Sequence, residues 1–233
     1  MGILRAPRAK ALPNVAKACR SPKRTYEVKV ASVIAPSQTK QRRVGIYAGT
    51  FDPVHTGHIA FALQALDRAE LDVVYFVPER EPRGKVGVTH FAHRIAMVRR
   101  ALQSYAQLQV LELPDKCFSV SRTLPRLRQL FLTDELVFLC GSDVLAAMVH
   151  WPYIQTLLTT SELCVGQRKN ETKRASTNSL AALPCSPRRV TMLKSYAPAV
   201  SSRHVRQAIR AHRHAAGLLR SVQAYAAREW LYV

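Results

Sequence analysis

Residues 44–58 read "VGIYAGTFDPVHTGH", and how this stretch divides decides the fold. "VGIYAG" is a short apolar run of strand length, the next residues carry a turn around Pro53, and from His58 "HIAFALQALDRA" repeats apolar residues at helical spacing. The same succession recurs downstream. "DVVYFVP" precedes "FAHRIAMVRRAL", "LQVLEL" precedes "TLPRLRQLF", and "ELVFLCG" precedes "VLAAMVHWPYIQTLL". Then "ELCVGQ" leads across a loop to "HVRQAIRAH". Apolar strands each followed by a helix are parallel βαβ units with right-handed crossovers. The expected fold is α/β, a doubly wound parallel sheet.

On either side of this pattern the sequence changes character. Residues 1–43 mix Ala, Pro, Ser, Lys and Arg without helical period, and their one strand-like run, "YEVKVASVI", stands isolated; they are expected to form a flexible basic extension to a domain spanning 44–233. Eleven Lys/Arg against the single acid Glu27 place half of the net charge of +20 in that extension. Such a balance suits anionic partners without selecting one. Residues 168–189, polar and proline-containing, are expected to be a surface excursion. No apolar run is long enough to span a bilayer and no leader pattern opens the chain, so a soluble, cytoplasmic protein is expected. The five cysteines are scattered without a C-x-x-C pair, and Cys140 and Cys164, in apolar runs, are expected to be core thiols.

In a doubly wound sheet, ligands bind beyond the carboxyl ends of the strands, where helix N-termini attract anions. The stretch 49–58 occupies that position after the first strand. Gly49 allows a tight exit from the strand, and Gly57 allows a phosphate to approach the helix. His55 and His58, three residues apart, would flank that anion as hydrogen-bond donors. No G-x-G-x-x-G or Walker sequence is present. An H-x-x-H metal site is the chemical rival, with no third ligand at a supporting spacing. Far downstream, "VSSRHVR" (200–206) offers Ser201 or Ser202 as a helix cap, with Arg206 one turn further on the same face. An arginine so placed could fork onto phosphate oxygens.

The stretch "GTFDPVHTGH" closely resembles the H-x-G-H signature of the nucleotidyltransferase superfamily, in the wording of bacterial nicotinate-nucleotide adenylyltransferases. "VSSRHVR" is similar to that family's phosphate-binding I-S-S-T-x-x-R element, with Arg203 in place of Thr. In "CGSDVLAAMVHW", Gly141 and Asp143 resemble the family's G-x-D near the adenosine, and Trp151 matches a tryptophan at the nicotinate end. On their own, Asp143 reads as an acid in the first turn of a helix and Trp151 as core. "EREPRGK" resembles an imperfect Pro-Pro-His-Lys loop, leaving Lys85 or Arg83 as candidate substrate-binding residues, and "QRKN" keeps only Arg168 of an expected Arg-Pro-Gly element. The closing "LLRSVQAYAAREWLY" resembles the family's last helix and terminal Leu-Tyr, so the likeness runs over about residues 44–232.

The resemblance implies a Rossmann-like nucleotidyltransferase fold and adenylyl transfer from ATP, with Mg²⁺, to nicotinate mononucleotide in NAD biosynthesis. His55, His58 and Arg206 would be catalytic. Gly49, Thr50, Phe51, Asp52, Gly57, Gly141, Asp143, Ser201 and Ser202 would bind ATP, and Lys85, Arg83 and Trp151 the second substrate. The alternatives are another acceptor within the superfamily, as in phosphopantetheine adenylyltransferase or the cytidylyltransferases, or a non-catalytic nucleotide- or RNA-binding protein. A membrane or nucleic-acid partner is not expected. His90, His93 and Arg94 fall near the 79–85 loop and the helix after it, with Arg94 either a solvated or salt-bridged helix residue or a substrate contact. His150, His204, His212 and His214 read as surface residues.

Overall fold

The computed structural model describes residues 40–167, 173–194 and 200–233. The residues before Lys40, and with them most of the expected basic extension and its strand-like run, lie outside the described residues, as does Arg168.

The first strand, β1 (Arg43–Gly49), leads into α1 (Thr56–Arg68), and β2 (Val73–Pro78) into α2 (Phe91–Leu102). Then come β3 (Leu108–Val110), α3 (Thr123–Leu130), β4 (Glu135–Gly141), α4 (Ser142–Met148), α5 (Ile154–Thr160) and β5 (Glu162–Gln167). The chain closes with α6 (Lys173–Ala181), β6 (Val190–Lys194), α7 (Ser202–Arg210) and α8 (Arg220–Arg228). The strands form one sheet in the order β3-β2-β1-β4-β5-β6, every pair parallel. The strand order reverses between β1 and β4, which places a ligand crevice at the carboxyl ends of those two strands.

Strand alternation builds a core on each face of this sheet. Val74, Phe76, Val137 and Leu139 turn one way, onto Ile59, Ala62 and Ala65 of α1, Met97, Val98 and Ala101 of α2, and Val222 and Tyr225 of α8. Their neighbours Val73, Val77, Leu136, Phe138 and Cys140 turn the other way, with Val44 and Ile46, onto Leu124 and Leu127 of α3, Leu145 and Met148 of α4, and Leu157 and Leu158 of α5. Cys140 and Cys164 are buried free thiols, and burial raises the pKa of both, that of Cys164 to about 12.

Two segments differ from the sequence expectation. The helical pattern over 144–158 is broken at Trp151–Tyr153, where Pro152 interrupts it and Tyr153 takes a left-handed φ of 61°. The excursion expected over 168–189 contains α6 and is followed by the edge strand β6. Both are faint in sequence because they bury little: Leu193 is the buried residue of β6, and Ser176 that of α6.

At the amino ends of the strands, buried Arg43 donates to Glu162 at 2.6 Å and pairs with Glu135 at 2.5 Å, while its backbone N–H donates to Asp72 Oδ2 at 2.7 Å. This joins β1, β4 and β5 at the end opposite the crevice. Among the described residues no helix is long and apolar enough to cross a membrane.

Candidate active site

The turn from β1 into α1 is over-determined. Phe51 adopts a left-handed φ of 49°, costly for an aromatic residue, and its buried ring packs edge-on against Tyr47 (5.4 Å) and His58 (5.1 Å). The Asp52–Pro53 peptide is cis. His55 is the N-cap of α1 and His58 sits in its first turn; their rings stack at 3.7 Å with an interplanar angle of 27°. The backbone N–H of His55 donates to His58 Nδ1 at 3.2 Å. His55 Nδ1 is the one buried side-chain polar atom among the described residues without a hydrogen-bond partner. Burial lowers the pKa of His55 to about 4, and burial, then the nearby His55 and Lys85, hold His58 well below 6.5. Both rings are therefore neutral at pH 7.

The second wall comes from α7. Ser201 caps that helix, accepting from the His204 N–H at 3.2 Å, and Ser202 Oγ donates to the Pro53 carbonyl at 2.9 Å, across 149 residues of chain. Arg206 donates to the Asp52 carbonyl at 2.6 Å. The N-terminus of α1 is tied in as well, because the Thr56 N–H donates to Gly217 O at 2.9 Å. Gly217 has φ +79°, and a Cβ there would lie 2.7 Å from Val200, so glycine is required for both backbone and space.

The far end is built by β4 and its successor helices. A Cβ on Gly141 would stand 2.5 Å from Asp143 Oδ1, so the glycine lets Asp143 fold back over the strand end. Trp151 leans on Phe118, which in turn meets Phe138 edge-on at 5.2 Å. From the loop after β2, Lys85 donates to Thr50 Oγ1 at 2.7 Å, and Arg83 donates to Cys117 Sγ at 3.0 Å and to the Phe118 carbonyl. These walls enclose a cleft of about 970 Å³, at the upper end of the range for small-molecule sites.

Of the residues singled out in the sequence, Gly49, Thr50, Phe51, His55, Gly57, His58, Arg83, Lys85, Gly141, Asp143, Trp151, Ser201 and Ser202 line this one cleft. Asp52 and Arg206 stand behind it. The Asp52 carboxylate is turned away, accepting from Tyr232 Oη at 2.7 Å and from the Thr89 N–H at 3.3 Å, with Arg206 at 3.8 Å. Arg94 is neither solvated nor in the cleft: it is 1% exposed and donates to the carbonyls of Thr89, Thr50 and Arg80 at 2.8, 2.8 and 2.9 Å. It fixes the loops on either side of the cleft mouth. His90 caps α2 and His93 bonds the Tyr225 hydroxyl. His150, His212 and His214 are exposed, whereas His204, also exposed, lines the cleft. Its position two residues after Ser202 was the signal for that. Phe118 and Glu79 also line it without having been singled out, although Glu79 opens the 79–85 loop; Glu79 accepts from the Phe118 N–H at 3.0 Å.

The histidines do not form a zinc-type set. Their rings lie face to face, one Nδ1 is committed to a backbone N–H, and among the described residues no group of three or more His, Cys, Asp or Glu could hold a metal ion. What the cleft offers is neutral imidazole, hydroxyl and ammonium donors at the start of two helices, an arrangement suited to a polyphosphate.

A family model for cytidylyltransferase-like proteins matches residues 46–208. A protein of Carboxydothermus hydrogenoformans named "probable nicotinate-nucleotide adenylyltransferase" is 32% identical over 173 residues, covering 72% of this chain and 86% of that one. One of the same name from Desulfitobacterium hafniense (strain Y51) is 36% identical over 132 residues, 54% of this chain; the chain spans 64% of that relative's length. In three dimensions the chain is similar to a Plasmodium falciparum nicotinic acid mononucleotide adenylyltransferase complexed with NaAD, with TM-score 0.69 and 16% identity over 82% of this chain and 98% of that one. This last likeness concerns the fold.

Proposed function

The chain belongs to the cytidylyltransferase-like family, and within it to the nicotinate-nucleotide adenylyltransferases; from that premise we propose that it transfers the adenylyl group of ATP to nicotinate mononucleotide. A phosphate oxygen of the mononucleotide attacks the α-phosphorus in line. The bond from that phosphorus to the bridging oxygen of the β-phosphate breaks, and pyrophosphate leaves with the electron pair. The nucleophile is already anionic, so the reaction requires no strong base, and catalysis rests on positioning and on spreading the developing charge.

The observation that carries this reading is the stacked His55–His58 pair facing Ser201 and Ser202 across one cleft. With His58 Nδ1 engaged by a backbone N–H, its neutral ring carries the proton on Nε2, as a donor for the α-phosphate and departing oxygen. Ser201, Ser202 and Arg206 serve the β- and γ-phosphates. The residues present fit Mg²⁺ arriving on ATP rather than in a protein cage, since the cleft supplies Asp143 and Glu79 but no convergent ligand set among the described residues. Mg²⁺ would neutralise triphosphate charge, mostly through water. Lys85 and Arg83 would take the acceptor phosphate and Trp151 the pyridine end. The four described cysteines are free thiols, which accords with the reducing, cytoplasmic setting of such a reaction.

The test is pyrophosphate release with ATP, Mg²⁺ and a panel of acceptors. Release with nicotinate mononucleotide well above nicotinamide mononucleotide, phosphopantetheine and simple phosphomonoesters supports the reading. Release with another acceptor, or none with any, removes it.

A further inference from the structure

Beyond α8 the chain makes two left-handed steps at aromatic residues, Trp230 (φ 52°) and Tyr232 (φ 68°), and ends one residue later. Such conformations persist in bulky residues only where the surroundings hold them. What holds this one is burial of the Tyr232 ring, 8% exposed, and the bond from its hydroxyl to Oδ1 of Asp52, itself 4% exposed. A carboxylate this deep must have its oxygens satisfied. Tyr232 takes Oδ1 and the Thr89 N–H takes Oδ2, which leaves the Arg206 guanidinium 3.8 Å from the carboxylate and bonded instead to the neutral Asp52 carbonyl at 2.6 Å. Without the tyrosine hydroxyl the carboxylate is left a donor short, and the guanidinium of Arg206, 3.8 Å from Oδ2 and on a side chain that is 29% exposed, is placed to close on it.

We propose that Tyr232 is a positioning residue for nucleotide binding: by satisfying the Asp52 carboxylate it keeps that carboxylate's pairing with Arg206 long, and so leaves the guanidinium able to turn onto the triphosphate. The inference rests on the reading of Arg206 as a phosphate ligand. The penultimate residue of the chain is thereby part of the ATP site, although it does not line the cleft. Burial also raises the Tyr232 pKa, so its hydroxyl remains a donor throughout the working range of pH.

The experiment is calorimetric titration of MgATP into the full chain, which needs no turnover, carried out on the wild type, Tyr232→Phe and Tyr232→Phe/Asp52→Asn, with Tm recorded for each. Loss of a hydrogen bond to a charged group sets the scale, and Tyr232→Phe should weaken MgATP about tenfold or more. Replacing the carboxylate by an amide removes the charge that captures Arg206, so the double variant should return to within about threefold of the wild type. A residue of merely structural importance gives no such rescue. Tyr232→Phe binding as wild type does, or the double variant binding more weakly than the single, overturns the proposal. If the wild type binds MgATP yet uses no nicotinate mononucleotide, the acceptor assignment fails while this inference is still decided by the titrations; if it binds no MgATP, both fail.

Discussion

The backbone N–H of His55 points at Nδ1 of His58, 3.2 Å away, and this single contact sets the chemistry of the pair. It makes Nδ1 an acceptor, fixes the neutral tautomer and leaves Nε2–H as the donor. The signature histidine is thus oriented by the same turn that starts α1.

His58→Ala removes that donor together with the ring that packs on Phe51. By comparison with loss of one oxyanion donor, kcat should fall by about 10²- to 10³-fold, while affinity for MgATP changes much less because the serines and Arg206 remain. Steady-state kinetics with pyrophosphate detection measures both. Turnover within a few-fold of wild type would remove His58 from the mechanism.

The neutral state of the pair, with His55 buried and His58 half-buried, also sets a pH dependence of stability. Between pH 6.5 and about 4 the unfolded chain binds a proton at His55 that the native chain does not, and the same direction holds for His58. Stability is therefore unaffected by these rings above pH 6.5 and declines as pH falls below it, by up to about 1.4 kcal/mol per pH unit for each histidine. Urea unfolding at pH 7.5, 6 and 5 should show the decline, and His55→Gln should flatten it. Equal slopes in the two proteins would show that His55 is not held neutral.

The histidine and serine motifs were legible because each lies at a helix N-terminus, where spacing along the chain fixes placement in space. What surrounds them was not. Asp52 reads as one more signature residue, and nothing in its neighbours says that its carboxylate turns inward to Tyr232 rather than outward to ligand. Arg94 reads as a solvated or salt-bridged helix residue or as a substrate contact; its burial follows from three carbonyls, on Thr50, Arg80 and Thr89, that converge only after folding. The strands of the central sheet were plain because they are buried on both faces, whereas β6, at the edge, presents too little apolar surface for a periodic signal.

Gly141 offers a test of the far end of the cleft that barely touches the fold. A methyl group there would stand 2.5 Å from Asp143 Oδ1, so Gly141→Ala must drive that carboxylate to another rotamer. A displacement of this size at a positioning group should lower kcat/KM for ATP by about 10- to 100-fold, with Tm staying within about 4 °C of wild type. An unchanged kcat/KM would show that Asp143 has no part in holding the nucleotide.

Arg43 decides where the domain can be cut. The extension expected over residues 1–43 is proposed to be dispensable for catalysis, yet Arg43 opens β1, and its guanidinium is shared between Glu135 and Glu162 at the end of the sheet remote from the cleft. Hydrogen bonding to Glu162 leads the interactions that raise its pKa against the cost of burial. Removing it leaves Glu162, 6% exposed, without its ion-pair partner at 2.6 Å. Breaking a buried pair from one side costs about 3–5 kcal/mol, a large fraction of the stability of a domain this size. A chain starting at Lys40 should therefore match the full-length protein in urea midpoint and kcat. One starting at Val44 should unfold at markedly lower urea, although the part still folded keeps its turnover because the cleft lies at the other end of the strands. Arg43→Met in the full-length chain separates loss of the ion pair from loss of backbone and should reproduce most of the deficit. Equal midpoints for the two truncations would show that the Arg43 network contributes nothing to holding β1, β4 and β5 together.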